Sequence, residues 1–71
     1  MTMVPVISKN ISAVGYDANS QTLRISFNSG GLYDYHLVPL HHHQGLMNAD
    51  SHGGYFDTYI KKGGYRFTKL R

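Results

Sequence analysis

The chain has 71 residues, with seven Lys/Arg against four Asp and no Glu, for a formal charge of +3. That length holds a single domain, and the absence of cysteine excludes disulfides and thiolate metal sites. Apolar residues at 41% with charged residues at only 15% favour collapse over disorder, and no apolar run approaches the ~20 residues of a membrane span.

The opening Met1-Thr-Met-Val-Pro-Val-Ile7 lacks the basic flank and long apolar stretch of a secretory leader, so a cytoplasmic location is expected. Three strands follow. Ile11–Tyr16 is rich in β-formers, and Asp17-Ala-Asn-Ser20 has the composition of a turn. Thr22–Phe27 alternates, with Leu23, Ile25 and Phe27 opposed to Arg24 and Ser26. After the turn Asn28-Ser-Gly-Gly31, Leu32–Val38 alternates again, with Tyr33, Tyr35 and Leu37 on one side and Asp34 and His36 on the other. Short turns make these strands an antiparallel meander, and Pro39 ends the third.

The two-residue period is lost from 40 to 62. A first helix places Leu40, His43, Leu46 and Met47 on one side, although Gly45 weakens it by about 1 kcal/mol. Ser51 is placed to N-cap a second helix, whose stripe is Tyr55, Phe56, Tyr59 and Ile60. Asp57 and Lys61 are spaced to pair across one turn of it, and Gly63-Gly64 is its stop signal. Alternation returns from Tyr65 to Arg71. The expectation is one α+β domain over residues 1–71, a three- or four-stranded antiparallel sheet covered by two short helices. So small a chain buries only ~60% of its unfolded surface, which makes a homo-oligomer the expected state.

The residues now resemble a known family. Val14-Gly-Tyr-Asp17, Leu23-x-Ile-x-Phe27, Gly31, Tyr33-x-Tyr35 and Val38-Pro39 are similar to the first half of the KTSC domain. Leu46, Ala49-x-Ser51, Gly54-Tyr-Phe56, Ile60-Lys61 and Tyr65 are similar to its second half. The resemblance spans about residues 8–70. It implies a non-catalytic module of the kind appended to some lysyl-tRNA synthetases, found also as small free-standing proteins in phages and prophages, with nucleic acid as its proposed ligand. It carries over no functional residues. His41-His-His43 and Gly63-Gly64 depart from the usual pattern.

The basic C-terminus is the clearest electrostatic feature. Lys61, Lys62, Arg66, Lys69 and Arg71 are five of the seven basic residues, with Tyr65 and Phe67 between them and no acid. Cations neutralise phosphates and flat rings stack on bases; the alternative is a solvated tail with its two rings in an edge strand. Tyr33 and Tyr35 are core if their sheet face lies beneath the helices and a stacking platform if it lies open. Ser51 and His52, with Gly53-Gly54, open a helix and offer backbone N–H groups to a phosphate, or serve only as a cap. The five histidines lack metal-ligand spacing, so no metal and no cofactor are expected; those that titrate near neutrality add positive charge in mild acid. With neither Cys nor Glu, catalysis has little to work with.

The candidate ligand contacts are therefore Tyr33, Tyr35, Ser51, His52, Lys61, Lys62, Tyr65, Arg66 and Lys69. The expected function is non-enzymatic binding of RNA or DNA through the basic aromatic segment. The alternative is a phage-encoded anti-defence protein in the host cytoplasm, sequestering a nucleotide signal or blocking a host protein.

Overall fold

The structure, a computed structural model, describes residues 1–71. Five strands form one open antiparallel sheet in sequential order, β1 (Val4–Pro5), β2 (Ile11–Asp17), β3 (Thr22–Phe27), β4 (Leu32–Tyr35) and β5 (Phe67–Lys69). The α+β class is as expected, with more strands than the alternation predicts. β5 is the segment whose alternation returns after the glycines, and it pairs with β4. β1 is only two residues long and contains Pro5, which an edge strand tolerates and a sequence pattern does not reveal.

Local chemistry sets the meander. In the β2–β3 turn the Asn19 N–H donates to Asp17 Oδ1 at 3.0 Å, and Ser20 Oγ donates to the other carboxylate oxygen at 3.1 Å. The β2–β3 register shifts between Ile11 and Ala13. This bulge lets Ile11 and Val14 face the same way, although three positions apart, which an unbroken two-residue period forbids. β4 ends at Tyr35, short of Pro39, because Leu37 takes a left-handed φ of 57°. The Val38 N–H donates to the Gln21 carbonyl just beyond it. Leu37 is consequently 71% exposed and does not continue the Tyr33–Tyr35 face.

Two helical segments cover one face. α1 (Leu40–Asn48) contributes buried Leu46. α2 (His52–Tyr55) runs on into a π-helical turn (Phe56–Ile60) and a 3₁₀ turn (Lys61–Gly63). Ser51 N-caps α2, its Oγ accepting from the Gly54 N–H at 3.0 Å, and Gly64 ends the segment at φ 81°. Phe56, Ile60 and Leu46 meet Ile11, Val14, Leu23 and Ile25 in the core. The opposite face is polar. There Arg24 Nε and Nη2 donate to the two oxygens of Asp34 at 2.7 and 2.9 Å, a cross-strand bidentate pair. No helix is long and apolar enough to cross a membrane.

Candidate functional site

The covered face is not covered to its edge. Beyond the helices, β4 and β5 carry Tyr33, Tyr35 and Phe67 on one side, with Tyr33 opposite Lys69 and Tyr35 opposite Phe67 in the ladder. The Phe67 ring lies 5.8 Å from Tyr33 and 5.7 Å from Tyr35. Phe56 packs edge-on to Tyr35 at 5.2 Å, and Phe27 edge-on to Tyr33 at 5.6 Å. Each such pair is worth about 0.5–1.5 kcal/mol beyond its burial, so the five rings hold one another in place. They line a groove of about 420 Å³ that Ser29, Lys61 and Tyr65 complete. No carboxylate lines it. Phe67, at 60% exposed, presents its ring to solvent on an edge strand, whereas Tyr35 is only 7% exposed. The Tyr35 phenol is pushed up by burial and by Tyr33 beside it, so it stays protonated throughout the physiological range.

Lys61 reaches the groove because of the π-helical turn. The expected Asp57–Lys61 pair does not form; Asp57 instead meets Lys62 Nζ at 3.4 Å. A π turn closes i→i+5, and the Lys61 N–H is shared between the Asp57 and Phe56 carbonyls. The i+5 lysine therefore takes the acid, and the i+4 lysine is left without an ionic partner. Of the seven basic residues only Arg24 and Lys62 have an acidic partner. Tyr65 is brought back by the glycines before it: a Cβ on Gly63 would lie 2.9 Å from the Tyr65 ring.

The structure thus brings together Tyr33, Tyr35, Lys61 and Tyr65 of the expected contacts, with Lys69 on the same face of β5. Lys62 is turned to Asp57. Arg66 is exposed just before β5, its carbonyl accepting from the His36 N–H. Ser51 and His52 do not line the groove; they lie with Asp50 on a concavity that meets the one beside the groove at Lys9 and Gly53. Both have internal work, Ser51 as the cap and His52 through Nδ1 to the Leu46 carbonyl at 2.8 Å. Tyr33 and Tyr35 pack on the core cluster and also line the groove. Phe27, Ser29, Phe56 and Phe67 line the groove without being among the candidate contacts. Phe27 and Phe56 follow apolar periodicities that read as core, and only the tertiary fold opens the groove beside them.

A second concavity of about 560 Å³ adjoins the groove and shares Lys61, Phe27, Phe56 and Ser29 with it, extending to Lys9 and Asn28 and including the carboxylate of Asp57. The histidines stand elsewhere. His43 stacks on Tyr16 at 4.8 Å and 7°, and His42 Nδ1 lies 3.1 Å from the Tyr55 hydroxyl. Burial lowers the pKa of both, with His41 adding to the effect on His42. These two rings therefore gain positive charge less readily, as pH falls, than unperturbed histidines would.

Fold and groove together define a small open-sheet domain with an aromatic, basic cleft at its β4–β5 margin. Residues 7–65 match the KTSC domain, and the chain belongs to that family. A crystallised KTSC domain protein from Yersinia pestis superposes with a TM-score of 0.92 at 38% identity, covering 99% of this chain and 97% of that one. An uncharacterised protein of Stutzerimonas stutzeri is 37% identical over 70 residues, 99% of each chain. A lysine–tRNA ligase of a Nostoc species is 42% identical over 60 residues, which are 84% of this chain and 10% of that enzyme.

Proposed function

We propose that this protein is a non-enzymatic module that binds nucleic acid through the β4–β5 groove. The observation that carries the reading is a groove without carboxylates that joins unpaired Lys61 to exposed Phe67 and the Tyr33–Tyr35 pair, with unpaired Lys69 opposite Tyr33 in the ladder. Phosphate contacts supply affinity and aromatic faces supply base stacking. The occurrence of a similar segment within lysine–tRNA ligases, whose named partner is a tRNA, supports RNA as the natural form. In a mobility-shift assay at low salt, the wild type retards RNA and the complex weakens steeply as salt rises. The double variant Lys61→Glu/Lys69→Glu loses the shift while retaining its thermal melt. Equal retardation by wild type and variant, or no retardation by the wild type at low salt, contradicts the proposal.

A further inference from the structure

The groove is narrower in its demands than nucleic-acid binding alone. From its shape we infer that it seats one unpaired base of a single strand on Phe67 and Tyr33, with Lys61 taking the adjoining phosphate and the strand continuing toward Lys9. This rests on the proposed function and adds the strandedness and the direction of the path.

Three observations carry it. First, the Phe67 ring is 60% exposed and tilted at 54° to Tyr33 and 40° to Tyr35. The three rings form an open wedge into which a flat group fits edge-first, and a stacked duplex base has no free face to offer it. Second, a volume of about 420 Å³ falls within the ~300–1,000 Å³ of small-ligand sites. That is the scale of a nucleoside rather than of a helical backbone. Third, Lys61 stands on the shared wall between the groove and the concavity that runs to Lys9 and Asn28. A lone mononucleotide would occupy the first and leave the second empty, whereas a strand uses both. Charge chooses the occupant: the groove has a lysine and no acid, the adjoining concavity sets Lys9 and Lys61 against one acid, Asp57, which Lys62 pairs, and an anionic chain bearing flat apolar groups complements both.

The chain contains no Trp, so Phe67→Trp places a single indole reporter in the wedge. Titration with oligo(U) or oligo(dT) of about ten nucleotides quenches that indole saturably. A base-paired RNA of the same length binds at least ten-fold more weakly, and so does UMP. Phe67→Leu, which keeps an apolar side chain without a ring, weakens binding of a dye-labelled oligo(U), read by fluorescence anisotropy, about ten-fold, in line with the loss of one stacked base. Lys9→Glu weakens oligo(U) but leaves UMP unchanged. If duplex and single strand bind alike and Phe67→Leu binds as the wild type does, base seating is wrong while nucleic-acid binding stands. If UMP or a cyclic dinucleotide binds more tightly than the oligomer, the strand path is wrong. If a poly-glutamate peptide quenches the indole and no nucleic acid does, the groove belongs to acidic peptides and both readings fall.

Discussion

At the scale of single residues, the histidines show how position overrides composition. The run His41–His43 resembles an accessible charge reserve, yet His43 is stacked on Tyr16 and His42 is bonded to Tyr55. Burial depresses the pKa of both in the folded protein. The unfolded chain therefore takes up protons first as pH falls below about 6.5, and the folded state loses stability until the pH passes the lowered native values. Urea midpoints measured at intervals from pH 7.5 to 5 should fall with pH. His43→Phe keeps a ring on Tyr16 but has no proton to gain, and should flatten that dependence. An unchanged slope in His43→Phe would show that another group governs the acid response. Lys61 illustrates the same point in reverse, since its freedom follows from which lysine Asp57 selects rather than from its own chemistry.

At the scale of elements, the helical layer is organised by close approaches. Gly45 lies in the middle of α1, where helix propensity alone favours alanine by about 1 kcal/mol. A Cβ there would lie 2.6 Å from Tyr55 Cζ, and the Tyr55 ring is held by His42 and by Tyr59 at 4.5 Å. Overpacking of this kind costs about 1–3 kcal/mol. Gly45→Ala should therefore lower stability by on the order of 1 kcal/mol net, and a Tyr55→Ala background should remove the penalty. Chemical denaturation of the four species in that cycle measures it; a stabilised Gly45→Ala single variant would refute the close approach. The strands were largely legible because Leu23, Ile25 and Phe27 alternate against Arg24 and Ser26 over a half-buried surface. The π turn was not, because nothing in Phe56–Ile60 distinguishes an i→i+5 closure from an ordinary helix. Of the stripe Tyr55, Phe56, Tyr59 and Ile60, Phe56 and Ile60 are buried, whereas Tyr59 is 50% exposed with its ring stacked near His42. β1 escaped notice because two residues with a proline carry no period.

At the scale of the whole molecule, the sheet has two unlike faces, and the proposed function belongs to one margin of one of them. The Arg24–Asp34 pair braces the polar face, while the aromatic groove opens on the other, where β4 and β5 outrun the helices. The chemistry of this margin was half visible beforehand. Lys61, Lys69 and Tyr65 stand out as a basic aromatic run, and Tyr33-x-Tyr35 as a spaced pair. Their meeting with Phe27, Phe56 and Lys9 depends on contacts between distant segments that no local pattern encodes. Ser51 and His52 stand out for the same local reasons; both make internal hydrogen bonds and lie outside the groove. The most direct test is an amide chemical-shift titration of the labelled protein with oligo(U). Saturable shifts should centre on Tyr33, Tyr35, Lys61, Phe67 and Lys69, extend toward Lys9, and leave the β2–β3 turn at Asp17–Ser20 unmoved. Shifts centred on the polar face, or on Ser51–Gly54 with the β4–β5 margin silent, would contradict the account.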